Sequence, residues 1–370
     1  MKNDRVHHQI RKLEISKEKR KNLFAHVKEA KSKPSVNITG PVRDMNGTLR
    51  TTDKDVANAF TELMGTQLHS DEKPNIDWRK PHPDGPAGSI CCIFVRRGAI
   101  LTQIKKSRNN AAPGPDGIPM EAFSVAKDVL AGPLTALFNL INQTGNVPKH
   151  FKEARVKILY KKNEKSEMLN YRPLAMSNHM AKLWERVVNC ELMDHLESNN
   201  CLSRYQFGFR PNTGAAENLL QLWEHVVDRV EREKADIELW SLDLTKAFDK
   251  LNHTKVLELL HKSGVYGYMG LSIQNWLVDR TQFVEVGSSR SARTKVNRSC
   301  IQGSVLGPTM WLIYINSLLV QLDNAGVTYY AYADDVAIVQ RLDSDQDKKD
   351  FEKVLGILQK WAVEYGLVLA

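Results

Sequence analysis

The sequence predicts a mixed α/β protein of the α+β kind, on three observations. Apolar residues recur at helical spacing in long stretches, as with Leu183, Trp184, Val187, Val188, Leu192 and Leu196. Two β-prone runs, residues 237–244 and 329–339, carry carboxylates at an end or at a turn. A chain of 370 residues with 42% hydrophobic content has enough apolar surface for a substantial core, in two or three domains.

The elements follow in chain order. Residues 1–73 read as a basic helical arm and linker, with an exposed basic helix over 2–33 that ends at Pro34. Gly40-Pro41 and Asn46-Gly47 mark turns, and Thr52-Asp53 caps a helix carrying Val56, Phe60 and Met64. Residues 74–89, with four Pro and two Gly between Pro74 and Gly88, form a linker and domain boundary. A second unit spans 90–235. It opens with a helix around Ile104 and a rigid bend, Ala112-Pro113-Gly114-Pro115-Asp116-Gly117, from which another helix starts near Pro119. Helices are expected over 133–142 and 180–197, with a strand over 155–160 leading into Lys161-Lys162 and a basic segment ending at Asn170-Tyr171-Arg172-Pro173. The helix over 215–234 places Leu219, Leu222, Trp223, Val226, Val227 and Val230 on one stripe, which reads as core.

The last unit spans 236–370. A strand over 237–244 brings Asp243 to its end, and Asn252-His253 starts a helix over 254–261. Ser299-Cys300-Ile301-Gln302-Gly303 is a polar bend, after which Gly307-Pro308 opens an apolar helix over 309–322. A hairpin over 329–339 and an amphipathic helix over 345–365, with Phe351, Val354, Leu358 and Trp361 in register, complete the chain.

Charge narrows the class of partner. The formal net charge is +9, and residues 1–35 hold eleven Lys/Arg against four Asp/Glu, a net +7. Residues 146–190 hold ten against four, a net +6. Two separated basic zones point to a polyanion, nucleic acid ahead of an anionic membrane, with a solvated helix face as the alternative for the arm. Five cysteines without metal-finger spacing suit a reducing compartment. The first 25 residues are charged, and no apolar run is long enough to cross a bilayer. The expectation is an intracellular protein of nucleus or cytoplasm, not secreted and not in a membrane.

Asp334 and Asp335 are adjacent on the predicted hairpin tip. Adjacent carboxylates repel, and a divalent cation with oxygen ligands offsets that repulsion; a solvated turn is the alternative. A sheet can bring Asp243 beside them. Two divalent cations about 3.5–4 Å apart on such carboxylates activate a primer 3′-hydroxyl and neutralise departing pyrophosphate, which is nucleotidyl transfer. Mg²⁺ suits a site that shares its shell with phosphate and water, and Mn²⁺ is the other candidate.

Asp243-Leu244-Thr245-Lys246-Ala247-Phe248-Asp249 and Tyr332-Ala333-Asp334-Asp335 resemble the two metal motifs of reverse transcriptases. Four further blocks, in the same order as in that family, resemble the non-LTR retrotransposon type, and the jockey-like LINE group most. They are Ala112-Pro113-Gly114-Pro115-Asp116-Gly117-Ile118, Asn170-Tyr171-Arg172-Pro173-Leu174, Gln206-Phe207-Gly208-Phe209-Arg210 and Gln302-Gly303-Ser304-Val305-Leu306-Gly307-Pro308. The resemblance runs from about residue 90 to residue 370. It implies a right-hand polymerase with basic fingers over 90–235 and an antiparallel palm sheet, acting on an RNA template, a DNA primer and dNTPs.

It also implies roles. Asp243 and Asp334 ligate the metals with the Leu244 carbonyl, and Asp335 is the less direct acidic partner. Phe248 is the aromatic gate against a ribose 2′-hydroxyl, Lys161 and Arg172 grip the triphosphate, and Gln302 and Gly303 pack under the nucleotide and template base. The plainer alternatives are a core aromatic for Phe248, surface charge for Lys161 and a helix cap for Gln302. In the family an Asn, a Lys motif, a primer grip and a thumb follow the position of Gly366-Leu367. Here Ala370 stands at the Asn position, so a chain truncated after the hairpin motif is expected, with no thumb, endonuclease or CCHC knuckle. Two other functions stay open: an inactive remnant that binds nucleic acid, and an RNA-dependent RNA polymerase, against which Phe248 argues. Oligomeric state is not set by the sequence.

Overall fold

The structure, a computed structural model, describes residues 40–68, 74–244, 247–299, 303–341 and 343–369. The arm expected over residues 1–35 and the candidate Gln302 lie outside the described residues.

A short hairpin, β1 (Val42–Arg43) and β2 (Leu49–Arg50), is closed by Asp44, whose Oδ1 accepts the Asn46 and Thr48 N–H groups at 2.9 Å. Helix α1 (Asp53–Gln67) starts at Thr52, whose hydroxyl accepts the Asp55 N–H, and buries Val56, Phe60 and Met64 as its spacing predicts. Residues 74–89 form no helix or strand. Helices α2 (Arg97–Lys106), α3 (Met120–Val125) and α4 (Lys127–Thr144), strands β3 (Glu153–Tyr160) and β4 (Tyr171–Ser177), and helix α5 (His179–Ser198) follow. The bend before α3 is pinned from outside: a Cβ on Gly114 would lie 2.3 Å from Asn178 Oδ1, the atom that accepts the Asp116 N–H.

Next come α6 (Ala215–Glu231), β5 (Ile237–Leu242), a 3₁₀ turn (Ala247–Lys250), α7 (His253–Lys262) and α8 (Gly267–Leu277). Trp78 anchors the Pro/Gly-rich stretch onto α8, its indole donating to Gln274 and its ring lying where a Cβ on Gly270 would be. Strands β6 (Arg280–Val286), β7 (Ser289–Arg290) and β8 (Thr294–Val296) join β3 and β4 in one sheet. Within it β3 runs antiparallel to β4 and parallel to β6. Helix α9 (Leu306–Asn324), strands β9 (Thr328–Tyr332) and β10 (Asp335–Arg341), and helix α10 (Asp345–Glu364) end the described chain.

A second sheet, fully antiparallel in the order β5-β10-β9, carries the candidate carboxylates. Behind it lies α9, which buries residues around its whole circumference, Trp311 and Tyr314 among them, as expected of a helix with no polar face. Among the described residues no helix is long and apolar enough to cross a membrane.

The stripe on α6 is a correction. Expected as core, it leaves Leu219 62% and Trp223 66% exposed, and no residue of the helix is fully buried. The physical reason is one-sided packing: Leu222 and Val226 rest on Tyr330 and Val339 in a small cluster at the sheet, and the neighbouring flank with Leu219 and Trp223 faces solvent. Two other elements differ in extent. Helix α4 begins at Lys127, before Pro133, and α9 begins at Leu306, so that Gly307-Pro308 lies inside its first turn, where a missing N–H costs no hydrogen bond.

Candidate active site

Strand register decides which carboxylates meet. Val336 of β10 pairs with Leu242 of β5, so the next step along the two strands sets Asp335 opposite Asp243. On the other side Asp335 pairs with Tyr332, leaving Ala333 and Asp334 as the hairpin tip. Asp334 is half-buried, whereas Asp243 and Asp335 are exposed. Burial pushes the Asp334 carboxyl above its usual range, the charges of Asp335 and Asp243 add to this, and the Arg172 guanidinium opposes it.

These groups are hard oxygen donors on a site whose electrostatics favour an added cation, so they fit a divalent metal ion. Among the described residues no three His, Cys, Asp or Glu side chains are already gathered into a coordination sphere. Leu244 is buried and bridges Leu369, which fixes the backbone just past Asp243.

Phe248, in the 3₁₀ turn, has its ring centroid 5.1 Å from Trp311 of α9 and 6.3 Å from Phe209, and it stays half-buried. It packs against the core and keeps part of its surface exposed. Arg172 is exposed on β4, opposite Leu159, and near enough to Asp334 to affect its ionisation. Lys161 is exposed at the head of the same β3–β4 hairpin, its N–H bonded to the Asn170 carbonyl, with no ion-pair partner among the described residues. Alternation along paired strands puts Lys161 diagonal to Arg172 on one face.

Gly303 has φ 89°, and a Cβ there would lie 2.4 Å from the Ala175 carbonyl oxygen of β4. Only glycine meets both conditions. The approach ties the bend to the strand that carries Arg172. Upstream, the His253 Nε2–H donates to the Ser299 carbonyl at 2.9 Å, and burial pushes that imidazole down to about 4. Downstream, Glu185 of α5 accepts the Val305 N–H at 2.6 Å and the Trp276 indole N–H at 3.1 Å, which seats the start of α9.

The loop before α6 contributes what sequence reasoning missed. Gln206 and Gly208 had no assigned role, yet the Gln206 amide bonds the main chain of Ala333 in the hairpin tip. The Gln-Phe-Gly spacing in the block was the available signal.

Residues 160–370, more than half of the chain, match the family model described as reverse transcriptase (RNA-dependent DNA polymerase). The chain belongs to the reverse transcriptase family. This reverse transcriptase is 23% identical over 360 residues to the probable RNA-directed DNA polymerase from transposon BS of Drosophila melanogaster, a match that covers 94% of this chain and 39% of that protein. It is 25% identical over 278 residues to the RNA-directed DNA polymerase from mobile element jockey of the same fly, covering 72% and 30%. A third relative, the retrovirus-related Pol polyprotein from type-1 retrotransposable element R1 of Bradysia coprophila, is 27% identical over 243 residues, covering 65% and 23%. The chain thus spans less than half the length of the relatives it matches. Among reverse transcriptases it is of the jockey-like, LINE (non-LTR retrotransposon) type.

Proposed function

We propose that this chain is the fingers and palm of an RNA-directed DNA polymerase that joins dNTPs to the 3′-hydroxyl of a DNA primer on an RNA template. The observation that carries it is Asp334, held half-buried among Asp335, Asp243 and Arg172. Asp243, Asp334 and the Leu244 carbonyl would hold divalent metal, Mg²⁺ before Mn²⁺, with Asp335 as an outer acidic partner. When bound, the ions lower the pKa of the attacking hydroxyl and offset charge on the phosphates.

The remaining work belongs to the chain's own side chains. Arg172 offers paired donors to a phosphate, a geometry Lys does not reproduce, and Lys161 adds a point charge on the same face. Phe248, braced by Trp311, excludes a 2′-hydroxyl by bulk, which selects deoxynucleotides. Gly303, packed on β4, and Gln302 beside it support the nucleotide and the template base.

The test is extension of a DNA primer on an RNA template with dNTPs and Mg²⁺, repeated with Asp334→Ala. Synthesis by the parent chain that is lost in the variant is expected, and synthesis that survives the substitution sinks the mechanism. Equal use of NTPs would reassign the chain to RNA synthesis. Salt-dependent RNA binding without extension would reduce it to a nucleic-acid-binding remnant.

A further inference from the structure

The turn that presents Asp334 is held in an unfavourable backbone conformation. Ala333 has φ 59°, a left-handed value that costs a residue with a Cβ about 1–2 kcal/mol. Such a residue persists only where its surroundings over-determine it. The surroundings here are the loop 203–210, which lies against the hairpin from outside the sheet.

The main chain makes the first contacts: Ala331 N–H donates to the Tyr205 carbonyl and Phe207 N–H to the Ala331 carbonyl, each at 2.8 Å. The Gln206 side chain then reaches past them to the tip. Its Oε1 accepts the Ala333 N–H at 2.9 Å and the Gly208 N–H at 2.8 Å, and its Nε2 donates to the Ala333 carbonyl at 3.2 Å. Both polar groups of Ala333 are thus bonded to one amide that is 1% exposed. Gly208 permits the approach, since a Cβ on it would lie 2.2 Å from the Ala333 nitrogen.

The loop is itself anchored. Arg210 donates to the Gln206 carbonyl at 3.1 Å and the Ser203 carbonyl at 2.6 Å, and its other guanidinium nitrogens pair with Glu197 of α5 at 2.6 and 2.8 Å. A chain of bonds therefore runs from the core helix α5 through Arg210 and Gln206 to the residue before Asp334.

We infer that Gln206 is a positioning residue that sets the direction of the Asp334 carboxylate by fixing the Ala333 peptide groups. It touches neither nucleotide nor metal. The inference rests on the proposed metal-binding role of Asp334, and the test separates the two.

Mn²⁺ binding to the purified chain is titrated by electron paramagnetic resonance, well below the melting temperature, with circular dichroism as a folding check. The parent chain binds Mn²⁺ and Asp334→Asn does not. A parent that fails to bind, or an Asp334→Asn variant that binds equally, overturns the metal reading itself. Given that control, Gln206→Met keeps length and volume but loses all three bonds, and its dissociation constant rises about tenfold, the scale of losing a supporting partner of a metal ligand. Gln206→Asn keeps a buried amide but falls one methylene short of Ala333, and shows the same loss. Replacing Ala333 with Gly in the Gln206→Met background returns most of the affinity, because Gly holds the left-handed turn without steric cost. A folded Gln206 variant that binds Mn²⁺ within twofold of the parent overturns the inference. So does failure of both variants to fold, which would make the residue structural.

Discussion

Glu185 supports the start of α9 from inside the core, and its removal is the most severe test of how the segment after Gly303 is held. The side chain is fully buried and accepts three donors: the Val305 N–H at 2.6 Å, the Leu306 N–H at 3.4 Å and the Trp276 indole at 3.1 Å. Its charge also favours the cation of Arg280, a fully buried guanidinium that burial pushes down to about 10 and that leaves Nη2 without a partner. Glu185→Ala strands the indole and the Val305 amide, at about 1–3 kcal/mol for each buried donor left unmade. It also leaves Arg280 uncompensated, and breaking a buried charge arrangement from one side costs about 3–5 kcal/mol in all. Glu185→Gln keeps the volume and one acceptor, so about half of that loss is expected. The assay is guanidinium unfolding followed by the summed fluorescence of the chain's seven tryptophans, Trp276 among them. Expected are a large fall of the midpoint for Glu185→Ala, a smaller one for Glu185→Gln, and partial recovery when Arg280→Met is added to Glu185→Ala. A Glu185→Ala midpoint equivalent to less than about 1 kcal/mol of destabilisation refutes the reasoning, since it would mean that water replaces the carboxylate at no cost.

Three further outcomes follow from other residues. Because the Asp334 carboxyl is raised by burial and by Asp335 and Asp243, its ionised form destabilises the metal-free fold, and the stability present at low pH is lost as pH rises through the folded pKa. Asp334→Asn should therefore raise the metal-free melting temperature at neutral pH, by on the order of 1–3 °C, and an unchanged or lower value counts against the cluster. His253 is held neutral with its pKa pushed down to about 4, so the stability it contributes is complete above the unfolded value and is lost as pH falls from about 6.5 toward 4. The slope is about 1.4 kcal/mol per pH unit, and His253→Gln should flatten it in urea titrations across that window. Gly303→Ala should destabilise by about 2 kcal/mol or more, from its φ and the Ala175 oxygen, whereas Gly98→Ala, in open space on α2, should stabilise by about 0.5–1 kcal/mol; equal melting temperatures for the two variants would contradict both arguments.

Much of the element order is legible locally. Thr52 capping α1, Asn252 capping α7 and the spacing of Leu183 to Leu196 on α5 are short-range effects, and they sit where the sequence puts them. Less legible was the region over 265–298, where α8 and β6 lack a strong single signal and owe their place to neighbours: β6 lies beside β3, a strand more than a hundred residues earlier. The α6 stripe failed for a related reason. Periodicity states that a helix has an apolar face, and only the partner elements decide how much of that face is covered.

By itself, the sequence determined the family and the mixed α+β class, and it proposed Asp243, Asp334 and Asp335 as a carboxylate set, because paired carboxylates flanked by β-prone runs form a local pattern. Tertiary structure decided that Asp335 lies opposite Asp243, through the pairing of β10 with β5, and that the charges of Asp335, Asp243 and Arg172 act on Asp334. It also decided that a buried amide from the loop before α6 grips the turn between them. The register of distant strands and the reach of one side chain are set by long-range contacts, and no window of neighbouring residues contains them.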